Sequence, residues 1–188
     1  MTDVAKQLTT AELEAGLDNI LASPKNEGRL ELIVRRPQVD ARESVDEGHL
    51  DIAEGLVGDN WLDRGSRHMP NGAADPEMQL NIMNARVVRL VANDAARREL
   101  AGDQLYVDMD LSGENLPAGT RLSVGDAVIE VTEPPHTGCK KFAARFGVDA
   151  MVFVNSGLGK KLNFRGINAR VVRSGDIKVG DVLRKLQD

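Results

Sequence analysis

Residues 9–22 carry Leu13, Leu17, Ile20 and Leu21 at i, i+4, i+7 and i+8 behind Thr10, a residue type that caps helix N-termini. The spacing predicts an amphipathic helix, stopped by the Ser-Pro-Lys-Asn-Glu-Gly run at 23–28. Residues 30–36 then alternate apolar and polar until Pro37, the pattern of a strand. Residues 63–75 mix Gly, Pro, Asn, Arg and His without a period, which predicts a long exposed loop. Further runs rich in Val, Ile and Leu lie at 80–91, 104–108, 127–131, 168–173 and 182–186, with Gly-Asp turns between several of them, and read as strands. Residues 139–146 read as a second, short helix behind Pro134-Pro135, ending at Gly147.

Two segments repeat. Asn84-Ala-Arg-Val-Val-Arg89 recurs as Asn168-Ala-Arg-Val-Val-Arg173, and Val124-Gly-Asp126 recurs as Val179-Gly-Asp181, at separations that differ and so define no repeat period. Equivalent strands of a closed antiparallel barrel would account for both echoes, as would common strand vocabulary. The expected fold is mainly β: an antiparallel, barrel-like domain over residues 1–188, with residues 1–28 as a helical extension and a short helix after the cysteine. A parallel sheet is disfavoured because the connections between the late strands are too short for helical crossovers.

Composition narrows the function. At 188 residues, 41% hydrophobic and 28% charged, the chain is an ordinary globular sequence, and its net charge of -5 offers no general attraction to nucleic acid or to an anionic membrane. No stretch approaches the length of an apolar membrane span, and Met1 to Gln7 lacks a basic segment followed by an apolar one, so the expected location is cytoplasmic. One cysteine, Cys139, excludes an intramolecular disulfide and a zinc site built from several thiolates. Phe142, Phe146, Phe153 and Phe164 gather beside it, although aromatics are only 3% of the chain.

Cys139 stands where a strand and a rigid Pro-Pro bend give way to a helix, flanked by His136, Lys140, Lys141 and Arg145. A helix start and nearby cations both favour negative charge on sulfur, the setting of a reactive thiol. The opposing reading is a buried cysteine used as a small hydrophobe. His136, three residues upstream, is a candidate base or imidazolium partner. Arg64, Arg67 and His68 crowd the irregular loop, either as solvated charge or as donors to a phosphate or carboxylate. His49 sits among carboxylates in a hairpin-like pattern and receives no role. No metalloprotease, Cys-x-x-Cys, phosphate-loop or serine-hydrolase motif occurs.

Leu111-Ser-Gly-Glu-Asn-Leu116, Gly125-Asp-Ala-Val-Ile-Glu-Val-Thr132, the Pro-Pro-x-x-Gly-Cys-Lys-Lys-Phe-Ala-Ala-Arg-Phe-Gly block and the stretch 166–182 together resemble the MOSC domain. That domain ends the molybdenum-cofactor sulfurases and also stands alone in bacteria. Glu54-Gly-Leu-Val-Gly-Asp59 resembles its early Gly-Asp signature, while Met69-Pro-Asn-Gly-Ala-Ala74 stands where stand-alone members carry His-Gly-Gly. The resemblance implies a barrel-like fold whose cysteine, here Cys139, carries sulfur or meets molybdenum, which makes Cys139 the implied metal contact as well. It also gives Glu114 and Asn115, otherwise plain turn residues, a place beside a bound cofactor. Implied with it are the molybdenum cofactor and, as partner, a cysteine desulfurase or a molybdoenzyme; pyridoxal phosphate would belong to that partner and not to this chain. Two other readings stay open: a non-catalytic module that binds an anionic pterin or a protein, and an interaction barrel whose aromatics near Cys139 are only core. If the barrel closes, the Glu114-Asn115 turn, the 64–68 loop and residues 136–145 are expected to meet at one mouth, with Cys139 at its base.

Overall fold

A computed structural model describes residues 6–187; the opening segment read above for a leader lies largely outside them. Two short helices, α1 (Thr10–Ala15) and α2 (Leu17–Leu21), lead into β1 (Glu27–Arg35), β2 (Glu43–Val45), β3 (Glu47–Asp51) and β4 (Gly55–Leu56). The chain continues through α3 (Trp61–Arg64), β5 (Leu80–Asn84), α4 (Ala85–Ala92), β6 (Leu105–Asp108), β7 (Arg121–Val124) and β8 (Ala127–Val131). Three helices follow, α5 (Lys140–Phe146), α6 (Val148–Asn155) and α7 (Gly157–Lys161), and then β9 (Ile167–Arg173), β10 (Gly175–Lys178) and β11 (Val182–Lys185). Among the described residues no helix is long and apolar enough to cross a membrane.

The strands run β1-β11-β7-β8-β9-β5-β6 and return to β1, a seven-strand closed barrel, with β2 added to the far end of β1. Period-two alternation builds two cores from the same strands. Leu80 and Ile82 of β5 and Leu105 and Val107 of β6 point into the barrel, where they meet Leu30, Ile129, Ile167 and Leu183. Met83 and Tyr106, on the alternate positions, face outward and pack with Leu13 and Ile20, with Val87, Val88 and Val91 of α4, and with all four phenylalanines. The helices therefore cover one side of the barrel, and β5 is buried along its whole length.

The barrel matches the expected fold, and four details differ from it. The N-terminal helix is capped by Thr9, which forms a reciprocal capping box with Glu12, and Gly16 splits it in two. Two helices, Val148–Asn155 and Gly157–Lys161, stand where no helix was expected. Strands β5 and β6 pair in parallel, because α4 and the 3-10 turn Ala95–Ala101 provide the crossover that parallel strands require.

The repeated hexapeptide is the fourth difference, since it takes two conformations: residues 84–89 open α4, whereas residues 168–173 are strand β9. Asn84 caps its helix by accepting the Arg86 and Val87 amides, and Leu90, Val91 and Ala92 extend the apolar face. Asn168 instead lies buried between β5 and β8, bonded to Asn81 and to the Pro134 carbonyl. The shorter echo does mark two equivalent turns, at Gly125 (φ 52°) and Gly180 (φ 101°).

Candidate functional site

After β8 the backbone is fastened at three points before it reaches the cysteine. The Thr132 hydroxyl donates to the Glu77 carbonyl, Asn168 Nδ2 donates to the Pro134 carbonyl, and Asn155 holds the Gly138 peptide from both sides. Cys139 is the N-cap residue of α5 with an extended backbone, and it is exposed. Phe142 and Phe146 anchor the helix below it, their rings 4.9 Å apart. The buried-cysteine reading therefore falls, while the aromatics are core, as one of the open readings held.

Cys139 opens onto a cavity of about 260 Å³ lined by Arg36, Arg42, Arg64, Lys141, Arg145 and Arg165. Asp40 is the one acidic side chain among its lining residues. Two of the arginines are tied from behind. Asp59 accepts Nε and Nη2 of Arg36 at 2.8 and 2.7 Å, and Asp103 accepts Arg165 Nη1 at 2.8 and 2.7 Å. Six cations against these three carboxylates leave an excess of three positive charges around the cavity. Among the described residues Arg42 and Arg64 form no ion pair; burial, then the neighbouring guanidiniums, hold both below their ordinary range. Arg165, only 6% exposed, stacks its guanidinium over Phe142 at 5.0 Å and leaves its Nε without a partner. Crowded guanidiniums with an unmatched buried donor are chemically suited to an anion.

His136 lines the same cavity, and its Nε2 lies 2.8 Å from Asp103 Oδ1. Burial alone would push the wholly buried Asp103 carboxyl up, but Arg165 and then His136 outweigh it and hold it below the ordinary carboxylate range. Burial, and next the Arg165 charge, press the His136 imidazole below its usual value, with Asp103 opposing only in part. His136 is therefore a neutral imidazole at pH 7. Because the ionised carboxylate takes the Nε2 proton, Nδ1 is the atom free to accept one. Gly166, at φ 121°, brings its Cα against the ring: a Cβ there would stand 3.1 Å from His136 Cδ2 and 2.3 Å from the Ile82 carbonyl oxygen. On its other side His136 also lines a second cavity, of about 480 Å³, with Leu116, Val131, Thr132, Asn163 and Ile167.

The structure brings together Cys139, His136, Arg64 and Arg145 from the residues singled out by sequence. It leaves the rest apart. Lys140, Arg67 and His68 are exposed and line no part of the Cys139 cavity, so of the expected 64–68 cluster only Arg64 reaches it. Glu114 is exposed away from the cavity, and Asn115 is a buried structural residue whose Nδ2 donates to the Lys25 and Asp110 carbonyls. The mouth expected to gather all three segments thus lacks the 114–115 turn. In its place stand Arg36, Asp40, Arg42, Asp103 and Arg165, which sequence reasoning missed. No local pattern marks them, since they come from three distant stretches of chain.

The family model described as the MOSC domain matches residues 71–184. No curated protein matches the sequence. Among solved structures, the chain is similar to the YuaD protein of Bacillus subtilis, 18% identical over 86% of this chain and 97% of that one, with a TM-score of 0.58. It is likewise similar to YiiM from Escherichia coli, 20% identical over 85% and 70% with a TM-score of 0.54. YiiM from Geobacillus stearothermophilus is 13% identical over 85% and 75%, with a TM-score of 0.55. At these identities the likeness is one of fold.

Proposed function

The chain belongs to the MOSC domain family, and on that premise we propose that it is a sulfur-carrier or molybdenum-cofactor protein that works through Cys139. The observation that carries the reading is that the exposed thiol shares one cavity with five guanidiniums, Lys141 and His136, whose Nε2 is held by Asp103.

The residues suit a phosphate-bearing molybdenum cofactor. Arginines around the unpartnered Arg165 Nε match a phosphate, and Cys139 offers a sulfur ligand within the same cavity. Among the described residues no three His, Cys, Asp or Glu side chains gather to hold a bare metal ion, so a metal here would arrive with most of its own ligands. When bound, the cofactor would supply redox or sulfur-transfer chemistry at its metal. The chain supplies the anion site, the thiol and a neutral base. For sulfur carriage the balance is simple: the Cys139 thiolate attacks the terminal sulfur of a donor persulfide, the donor S–S bond breaks, and the donor leaves as a thiolate. No external oxidant is consumed. His136 Nδ1 is the atom that takes the thiol proton, with Asp103 fixing the tautomer. A cysteine desulfurase fits as the donor and a molybdoenzyme as the acceptor.

Mass spectrometry of protein purified without reductant tests this, read together with molybdenum and pterin analysis of the same sample. The expected result is one added sulfur on the Cys139 peptide, or molybdenum that is lost in Cys139→Ser. Neither adduct nor metal in protein co-expressed with a desulfurase would reject the proposal. Pterin retained equally by Cys139→Ser would favour a binding module that makes no use of the thiol.

A further inference from the structure

Asp40 stands apart from every other group in the cationic cavity. It lies in the connection between β1 and β2, where Gln38, Val39 and Asp40 all line the cavity and Val39 is exposed. The Asp40 backbone sits at φ 62°, the left-handed region that side-chain-bearing residues rarely occupy. Its Oδ1 accepts two of the three cations of α5, Lys141 Nζ at 2.9 Å and Arg145 Nη2 at 3.1 Å. The carboxylates that pair with the cavity's cations thus fall into two kinds. Asp59 and Asp103 have fully buried side chains and are built into the framework through Arg36 and Arg165. The Asp40 side chain is 60% exposed, on a loop, and tied only by surface ion pairs, which contribute little to stability. Lys141, and more weakly Arg145, keep it ionised by holding its carboxyl below the ordinary range.

We propose that Asp40 is a built-in anion that occupies the Lys141–Arg145 position and is displaced, with the 37–41 strap, when the cavity takes a phosphate-bearing ligand. This rests on the reading of the cavity as an anion site and adds its regulation. An exposed carboxylate exchanges at small cost, whereas the buried ones cannot leave, so the exchange is confined to the rim. The strap sets a threshold, because only an anion that out-competes the carboxylate at both cations opens it. Chloride-like monovalent ions would be turned away.

Calorimetric titration with inorganic phosphate at constant ionic strength is the test, on the wild type, Asp40→Asn and Glu54→Gln. Asn tolerates the left-handed backbone and keeps the side-chain size, so Asp40→Asn isolates the charge. Glu54 is exposed and lines no part of the cavity, so Glu54→Gln removes the same charge elsewhere. The expected result is phosphate binding about tenfold tighter in Asp40→Asn and unchanged in Glu54→Gln. Measurable wild-type binding with Asp40→Asn within twofold of it, or an equal gain in Glu54→Gln, would overturn the exchange while leaving the anion site intact. No binding by either wild type or Asp40→Asn would overturn the anion site, and the exchange with it. Hydrogen exchange on the wild type gives a readout independent of the variant: saturating phosphate should accelerate the amides of residues 38–41, and unchanged or slower exchange there would refute displacement.

Discussion

Asn155, the last residue of α6, brackets the peptide of Gly138: its Oδ1 accepts the Gly138 amide at 2.9 Å and its Nδ2 donates to the Gly138 carbonyl at 3.0 Å. The residue before the cysteine is thereby fixed to a helix that packs on the barrel, which turns an exposed loop thiol into a positioned one. Asn155→Ala should cost about 1–2 kcal/mol, the scale of two part-buried hydrogen bonds lost together. It should also raise amide exchange at residues 138–140 without changing exchange in β8. Unaltered protection at 138–140 would show that the Pro134-Pro135 bend holds the segment without Asn155.

The hexapeptide at 84–89 and 168–173 shows how far the sequence could be read. Its Val-Val pair suits a strand, and a strand is what β9 forms. At 84–89 the decisive signals lie outside the repeat: Leu90, Val91 and Ala92 move the buried positions to 87, 88, 91 and 92, a helical spacing, and Asn93 in the left-handed region ends the helix. Asn84→Ala removes an N-cap and leaves the Met109 carbonyl and the Ser23 hydroxyl without the Nδ2 donor they share. A loss of about 2–3 kcal/mol in urea unfolding is expected, the sum of a cap and a buried hydrogen-bonding group. A cost under about 0.5 kcal/mol would mean that packing of Val87, Val88 and Val91 alone sets this helix.

The site was legible in part, for a physical reason. Cys139, His136 and Arg145 lie within one short stretch, where the Pro-Pro bend and helix start announce themselves. Arg36, Asp103 and Arg165 are single charged residues in unremarkable contexts, and only barrel closure brings the end of β1, the residue before Gln104 and β6, and the approach to β9 to one mouth. Glu114 and Asn115 owe their expected place beside a cofactor to the family resemblance alone, and the Asn115 side chain is consumed by two backbone carbonyls.

Cys139 contributes its sulfur to the surface and nothing to the core. Cys139→Ser should leave the urea midpoint within about 0.5 kcal/mol of wild type, as exposed substitutions do. Iodoacetamide should label the native wild-type protein fully at this one residue without denaturant. A thiol protected until the protein unfolds would contradict its exposure.

Arg165 and Asp103 stand or fall together. Removing the guanidinium strands a wholly buried carboxylate with only His136 beside it, so Arg165→Leu should cost about 3–5 kcal/mol, the range for a broken buried ion pair. The double variant Arg165→Leu, Asp103→Leu should recover a large share of that loss, because no charge is then left unpaired. A double variant as unstable as the single one would locate the cost in the Arg165 contacts with Phe142 and the Ala101 carbonyl instead.

His136 should make the stability of the fold depend on acid. Its imidazole is held below the ordinary value in the folded protein, so between that value and its folded one the unfolded chain binds a proton that the folded protein refuses. Folding is then weakened as pH falls below about 6.5, by at most about 1.4 kcal/mol per pH unit for the single proton involved. The carboxyl of Asp103 is also held low, but its contribution is present throughout that window and is lost only as pH drops below about 3.9. Urea unfolding of wild type and His136→Asn from pH 7.5 to 5 separates the two. The wild type should lose stability across the window, and the variant, whose Arg165–Asp103 pair remains, should lose less. Parallel curves would mean that His136 takes up its proton as readily folded as unfolded, and the neutral imidazole assigned as the base beside Cys139 would have to be given up.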